Sequence, residues 1–119
     1  MTEHAVHIEL PWPPSINHYY LRTSTRVILS TKGLMYRREA CIACRDYQNI
    51  FTKDSKLFLS ILAYPPDKRR RDLDNTLKCQ LDALQHAGLY PDDYKIYKLH
   101  IERMPELLGK MVITIKDTA

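Results

Sequence analysis

The chain has 119 residues, a length typical of a single folded domain. Hydrophobic residues make up 45% of it, which excludes a disordered chain, and the net charge is +4. No apolar run approaches the roughly 20 residues needed to cross a bilayer, and residues 1–4 lack the basic-then-apolar start of a secretion signal. Three cysteines, an odd number, argue against a disulfide framework, so we expect a cytoplasmic protein with no membrane partner.

The first segment predicts a strand over residues 4–10, where apolar and polar side chains alternate. The prolines within residues 11–14 end this strand, because proline cannot donate a hydrogen bond to a β-ladder. Tyr19 and Tyr20 follow in a loop that leads into an extended arm. Two interpretations stay open for these tyrosines: they pack the loop onto the sheet, or they stack on nucleic-acid bases.

A short strand over residues 27–29 precedes a predicted helix over residues 31–51, with Ser30 as its N-cap. Apolar residues of this helix are spaced as a buried stripe, namely Leu34, Cys41, Ile42 and Ile50. Its arginines point elsewhere, where they either contact phosphates or form a solvated surface; they are Arg37, Arg38 and Arg45. Arg38 and Arg45 are seven residues apart, so we expect them on the same side of the helix.

The cysteines have one suggestive spacing, since Cys41 and Cys44 are placed like a zinc or redox pair. They lie within a predicted helix, however, and no second pair or nearby histidine accompanies them. We therefore interpret both, together with the isolated Cys79, as small buried apolar side chains.

The second half of the chain predicts a central strand over residues 56–64, a helix over 73–87 that ends at Gly88, and strands near 95–103 and 110–116. The helix has an apolar stripe that we expect to be buried, formed by Leu73, Leu77, Leu81, Leu84 and Ala87. Two helices among several strands predict a single α+β domain over the whole chain, with a mixed β-sheet covered by two helices.

The segment between the central strand and the second helix has no purely structural explanation. Four consecutive cations precede two carboxylates that are separated by a single residue. The cations are Lys68, Arg69, Arg70 and Arg71. Positive charge is disfavoured directly before a helix N-terminus, and broken local rules often mark functional sites. A concentrated basic patch of this kind binds polyanions, above all nucleic-acid phosphates.

The carboxylates of Asp72 and Asp74 are oxygen ligands of the type that Mg²⁺ prefers. In a continuous helix they would point about 160° apart, so they converge only if Asp72 is still extended and Asp74 lies in the first turn. Asp72 is a good N-cap, which would place it at this junction. The alternative is that both acids only stabilise the helix N-terminus, and that Asp74 and Lys78 form an ordinary surface pair. Further carboxylates come from Asp92 and Asp93, either within one chain or across a dimer interface.

At these residues the chain resembles the RusA family of Holliday junction resolvases. The similarity spans almost the whole chain, and its matching segments are residues 10–15, 19–20, 66–75, 78, 82–84, 87–88 and 92–93. The resemblance implies a homodimeric, magnesium-dependent endonuclease that cuts four-way DNA junctions in bacteria or their phages.

The resemblance also implies roles for particular residues. It places the metal-binding and catalytic aspartates at Asp72, Asp74 and Asp93, the catalytic lysine at Lys78, and a supporting, DNA-binding asparagine at Asn75. The predicted activity is resolution of Holliday junctions by paired symmetric nicks, in DNA recombination and repair.

Three other functions stay open. A nucleic-acid-binding module without chemistry and a metal nuclease without junction preference both fit the residue spacing. A scaffold for acidic proteins fits less well, since it leaves Asp72 and Asp74 unexplained. Residue spacing alone supports a metal nuclease or a nucleic-acid binder, and junction selectivity comes from the resemblance.

Overall fold

The computed structural model describes residues 5–118, so the predicted strand start at residue 4 and the segment 1–4 lie outside the described residues. The strands are β1 (Ala5–Pro11), β2 (Tyr20–Arg22), β3 (Val27–Leu29), β4 (Leu57–Tyr64), β5 (Ile96–Arg103) and β6 (Lys110–Asp117). The α-helices are α1 (Ile16–Tyr19), α2 (Thr31–Ala43) and α3 (Asp74–His86), and 3₁₀ turns lie at Arg45–Tyr47 and Asp93–Lys95. Within this described range, no helix combines the length and the apolar character needed to span a membrane.

The main sheet has the strand order β1-β6-β4-β5. Strand β6 pairs antiparallel with both β1 and β4, whereas β4 pairs parallel with β5, so the predicted mixed sheet is confirmed. Strand β4 is central, as predicted, because it is paired along both edges. Its side chains alternate between fully buried and half-buried, which gives the sheet one fully covered face.

The covered face of the sheet carries the core. Its apolar side chains are at most 6% exposed and come from β1, β4 and β6; they are Val6, Ile8, Leu10, Leu57, Leu59, Ile61, Ala63, Met111, Ile113 and Ile115. Residues of α2 and α3 belong to the same cluster, among them Ala40 and Leu84. Full burial of such side chains stabilises a domain by about 1.5–3 kcal/mol each for the larger ones, so α3 has a rigid support.

Helix α2 is shorter than the sequence predicts. It ends at Ala43 rather than at residue 51, and the 3₁₀ turn Arg45–Tyr47 follows. Asn49 then adopts a left-handed φ of 61°, and its N–H donates to the carbonyl oxygen of Gly88 at 3.0 Å. Asparagine tolerates this conformation, but without a glycine or proline the sequence contains no strong stop signal.

The buried face of α2 also differs from the predicted stripe. Leu34 and Ile42 are 58% and 54% exposed, whereas Gly33 and Tyr36 are buried. The amphipathic signal is weak because the inward side contains glycine and tyrosine rather than aliphatic residues. The predicted N-cap is confirmed, since the hydroxyl of Ser30 accepts a hydrogen bond from the N–H of Gly33 at 3.0 Å.

Helix α3 begins at Asp74 with Leu73 in the N-cap position, so the expectation that Asp72 caps the helix is wrong. No side chain caps this terminus; the hydroxyl of Thr76 instead donates to the carbonyl oxygen of Leu73 at 2.6 Å. The predicted end is confirmed, because Gly88 follows the helix with a φ of 80°, where glycine meets no Cβ penalty.

The leucine stripe of α3 is only partly buried. Leu84 and Ala87 are at most 1% exposed, whereas the leucines nearer the N-terminus are half-buried. Thr76 and Gln80 take the inward positions, and Nε2 of Gln80 donates to the hydroxyl oxygen of Thr76 at 3.2 Å. A polar pair that satisfies itself in this way is invisible to an apolar pattern. The helix is therefore rotated relative to the predicted buried stripe, and Leu77 and Leu81 border a cavity that aspartates and a lysine also line.

The region predicted as a loop and extended arm contains α1 and the hairpin of β2 and β3. Tyr19 is completely buried, which confirms for this residue that it packs the loop onto the fold. Tyr20 is half-buried at the base of the hairpin.

Candidate active site

One side of α3 borders a cavity of about 320 Å³. Asp74, Lys78 and Asp82 follow one another at intervals of four residues, so they lie on the same side of the helix about one turn apart. All three line the cavity, together with Asp93 from the loop after α3 and Tyr20 from β2. Of the predicted catalytic residues, the structure thus brings Asp74, Lys78 and Asp93 to one cavity.

The loop after α3 is fixed so that Asp93 returns to the helix. The hydroxyl of the buried Tyr90 lies 3.0 Å from the carbonyl oxygen of Leu81 and 2.9 Å from Oδ1 of Asp93. The N–H of Asp93 also donates to Oε1 of Gln85 at 3.3 Å. Since Leu81 and Gln85 both belong to α3, these bonds hold the carboxylate against the helix.

The surroundings of Asp93 disfavour its negative charge. Burial raises the pKa of its carboxyl above the ordinary value, and the hydrogen bond from Tyr90 acts in the opposite direction. The charges of Asp92 and Asp82 raise this pKa further. A cation in the cavity would offset both the burial and the repulsion.

Lys78 is the cationic member of the cavity. Its ammonium nitrogen lies 5.9 Å from the centre of the Tyr20 ring, within the range of a cation–π contact. The position of Lys78 one helical turn after Asp74 places a positive charge beside that carboxylate. The cavity therefore combines carboxylates with one cation.

Asp82 is held by partners from two other helices. The hydroxyl of Tyr19, in α1, donates to Oδ2 of Asp82. Arg37, in α2, donates through Nε to Oδ2 at 3.0 Å and through Nη2 to Oδ1 at 3.2 Å. Burial and the bond to Asp82 raise the pKa of Tyr19, so its hydroxyl keeps its proton and remains a donor. Both oxygens of Asp82 are engaged.

Asp72 lies apart from this group. It lines a neighbouring cavity of about 480 Å³ together with Arg70, Asn75 and the proline-rich loop after β1. Among residues 5–118, no group of three or more histidine, cysteine, aspartate or glutamate side chains is arranged to hold one metal ion. The three predicted metal-binding aspartates are therefore not brought together within one subunit.

The residues of the first cavity nevertheless fit Mg²⁺ as part of a ligand set. This ion commonly takes one or two protein carboxylates and completes its octahedron with water and substrate phosphate. The Asp74 side chain makes no hydrogen bond or ion pair within the described chain, so its carboxylate is free to take a ligand. Asp93 is partly desolvated, whereas Asp82 could bind a cation only by breaking its contacts with Arg37 and Tyr19.

Arg71 differs from the other cations that precede α3, because it holds the loop. Its side chain is 23% exposed and donates to both carboxylate oxygens of Asp67, at 2.5 and 3.1 Å. Its guanidinium carbon lies 5.9 Å from the centre of the Trp12 ring. Arg103 donates to its carbonyl oxygen. The hydrogen bonds from Arg71 and from the N–H of Arg69 lower the pKa of Asp67 to about 2.

The remaining cations of this run face solvent. Lys68, Arg69 and Arg70 are exposed, and the Arg69 side chain is 82% exposed. Arg38 and Arg45 are exposed as well, but Arg45 lies in the 3₁₀ turn, so the expectation of one continuous helix face through both is wrong. Exposed cations are the ones available to phosphates.

Sequence reasoning missed Tyr19, Tyr20, Arg37 and Asp82 as residues of this site. The spacing of Asp82 from Asp74 and Lys78 was a visible signal, since it places all three on one helix face. The role of Arg37 had no local signal, because its partner lies 45 residues away in the chain.

The known proteins that this chain resembles share one family name. A sequence model of the family described as "Endodeoxyribonuclease RusA" matches residues 11–116. The "Crossover junction endodeoxyribonuclease rusA" of Enterobacteria phage HK97 is 43% identical over 101 residues, which cover 84% of this chain and 83% of that protein.

Two further relatives carry the same name. The protein of Enterobacteria phage 82 is 35% identical over 112 residues, or 93% of each chain, and that of Escherichia coli strain K12 is 34% identical over 111 residues, or 92% of each. Since these matches cover nearly all of the chain and of its relatives, the chain belongs to the RusA family of endodeoxyribonucleases.

Proposed function

We propose that this protein is an endonuclease that resolves Holliday junctions, and that Asp74, Asp93 and Lys78 form its cutting site. The observation that carries the proposal is the shared cavity, which Asp74, Asp93 and Lys78 line together, close in the chain to a run of exposed cations. The junction as substrate follows from the relatives, which are named for crossover junctions.

Asp74 and Asp93 would hold Mg²⁺ in this site. The chemistry that the ion supplies when bound is polarisation of the phosphate and activation of water. Lys78 contributes a positive charge one turn from Asp74, where it stabilises the charge that develops on the phosphate or on the leaving oxygen. Tyr20 limits the positions open to the Lys78 ammonium, because the two are in contact.

The exposed cations before α3 bind the DNA backbone and draw it toward a cavity that would otherwise repel it. Lys68, Arg69 and Arg70 serve this role directly, and Arg71 serves it by holding the loop. Asn75 lines the cavity next to the cutting site, where it supports the bound DNA.

Asp72 completes the metal site in the assembled complex. Because one subunit keeps Asp72 and Asp74 in neighbouring cavities, the third carboxylate must arrive through a second subunit or through rearrangement on DNA. A homodimer also suits the reaction, since two symmetric nicks call for two cutting sites related by a two-fold axis.

A nucleic-acid-binding module without chemistry is the second candidate, and the separation of Asp72 from Asp74 favours it. The two candidate functions are distinguished by incubating the purified protein with a synthetic mobile four-way junction, with and without Mg²⁺. We expect paired symmetric nicks only when Mg²⁺ is present, and we expect excess linear duplex to inhibit this cleavage little. Binding without any nicking would instead favour the module, and equal cutting of linear duplex would indicate a nuclease without junction preference.

A further inference from the structure

The cavity that holds the proposed cutting site, lined by Asp74, Lys78 and Asp93, contains a further carboxylate that the proposed chemistry does not use. Asp82 lies on the same side of α3 as Asp74, two turns further along, which corresponds to about 12 Å of helix. Asp93 is held against Leu81 and Gln85, which lie on either side of Asp82 in the helix. A cation shared by Asp93 and Asp82 would therefore lie away from Asp74, so the cavity needs a way to keep its cation in contact with Asp74.

We propose that Arg37 and Tyr19 are positioning residues of the cutting site, which hold Asp82 so that an entering cation meets Asp74 and Asp93 instead. The inference rests on the proposed function, because it assumes that this cavity takes a divalent cation. Neither Arg37 nor Tyr19 lines the cavity, so both act through Asp82.

The geometry of the Arg37–Asp82 pair suits this role. Arg37 contacts both carboxylate oxygens, at 3.0 and 3.2 Å, and this forked arrangement is stronger and more directional than a single ion pair. The two side chains are 26% and 28% exposed, so solvent screens them less than it screens a surface pair. Tyr19 adds a donor that keeps its proton, so a cation must displace both partners to reach Asp82.

The charges of the side chains that line the cavity support the same role for Arg37. Asp74, Asp82 and Asp93 together carry three negative charges, against the single positive charge of Lys78. Arg37 neutralises the negative charge of Asp82 by pairing with it, and it does so from outside the cavity. Loss of Arg37 would leave a third free carboxylate, which raises the affinity for cations but misplaces them.

A chain of side-chain contacts connects Asp82 to the catalytic Lys78. The rings of Tyr19 and Tyr20 meet edge to face with their centres 4.9 Å apart, and the ammonium of Lys78 lies 5.9 Å from the centre of the Tyr20 ring. The bond between Tyr19 and Asp82 thus also fixes the ring against which Lys78 rests. Release of Asp82 would loosen Lys78 together with the metal position.

The test uses Arg37→Met, Asp82→Asn and the double variant, with Arg38→Met as a matched control at the exposed neighbouring position. Binding of Mg²⁺ to the full-length protein without DNA is measured by calorimetry, and junction cleavage is measured as a function of Mg²⁺ concentration. We expect Arg37→Met to bind Mg²⁺ several-fold more tightly or at an extra site, yet to cleave about tenfold or more slowly. The double variant regains wild-type metal binding and part of the cleavage rate, and Arg38→Met matches the wild type in Mg²⁺ binding, the quantity for which it is the control.

Unchanged Mg²⁺ binding in Arg37→Met, or a double variant no better than the single one, would overturn the inference while leaving the proposed function intact. If Arg37→Met fails to fold, Tyr19→Phe removes only the hydroxyl donor, and it must then show the same shift in Mg²⁺ binding in weaker form. Failure of the wild-type protein to bind Mg²⁺ or to cleave would overturn the proposed function, and the inference with it.

Discussion

Arg71 donates two hydrogen bonds to Asp67, one to each carboxylate oxygen, at 2.5 and 3.1 Å. The two residues are four positions apart, in the loop that leads from β4 to α3. The pair closes this loop, and the neighbouring cations therefore project from a fixed position. Arg71 thus has a structural role that Lys68 and Arg70 lack, whereas the exposed Arg69 side chain makes only a longer ion pair with Asp67, at 3.6 Å.

This difference predicts unequal effects of two alanine variants on DNA binding. Arg70→Ala removes an exposed cation, so the slope of log binding constant against log salt should fall by about one unit while stability changes by less than about 0.5 kcal/mol. Arg71→Ala should disorder the loop and weaken binding more. Fluorescence anisotropy with a labelled junction at several salt concentrations measures both, and an unchanged slope for Arg70→Ala would remove that residue from the phosphate contacts.

The Asp67 carboxyl should titrate at an unusually low pH. Its hydrogen bonds with Arg71 lower its pKa to about 2, compared with about 3.9 in an unfolded chain. Because the folded value is the lower one, the contribution of this carboxylate to stability is complete above about pH 4 and is lost as the pH falls toward 2. Carboxyl chemical shifts measured by NMR test this; Arg71→Gln should return the midpoint most of the way to the unfolded value, and Arg69→Ala, at a more distant and exposed partner, should move it less.

Gly33 should not tolerate alanine, although it lies within a helix. Alanine would favour the helix by about 1 kcal/mol, but its Cβ would collide with the carbonyl oxygen of Tyr19 and come within 2.9 Å of the Leu29 side chain. A backbone atom cannot move aside cheaply, so the collision outweighs the gain, and we expect a net loss of about 1–2 kcal/mol. Denaturant unfolding measures it, with the exposed Leu34→Ala as the control, and a Gly33→Ala protein as stable as the wild type would show that the segment carrying Tyr19 shifts freely.

Much of the fold could be predicted from local patterns. Alternation identified β1, richness in apolar residues identified β4, and the spacing of apolar residues together with Gly88 identified α3 and its end. The place where α2 stops could not be predicted, because neither glycine nor proline follows Ala43 and the left-handed residue Asn49 comes only after the 3₁₀ turn. The strand order was also beyond local patterns, since the pairing of β6 between β1 and β4 depends on contacts between distant segments.

The candidate site was predicted only in part, again because local patterns do not determine contacts between distant segments. Spacing along α3 related Asp74 to Lys78, and a short loop could return Asp93 to them. The direction in which Asp72 points depends on where the helix begins, and the sequence placed the cap one residue too early. The engagement of Asp82 by Arg37 depends on packing between α2 and α3, which no local pattern encodes.

Lys78→Gln should separate catalysis from metal binding. Glutamine keeps most of the side-chain volume but removes the positive charge that we assign to the developing negative charge, so cleavage should fall by about 10²-fold or more. Metal affinity should stay equal or rise, because a repulsive charge leaves the cavity. Single-turnover cleavage together with calorimetry measures the two quantities, and a parallel loss of both would show that Lys78 acts by maintaining the cavity.

The most direct test of the cutting site is Asp74→Asn, with binding and cleavage measured on the same mobile four-way junction in the presence of Mg²⁺. Asparagine keeps the shape of the side chain and removes its charge. The proposed function predicts that cleavage is abolished while junction binding is retained or becomes tighter, because a carboxylate that repels the DNA backbone is gone. Cleavage at the wild-type rate, or loss of binding together with cleavage, would contradict it.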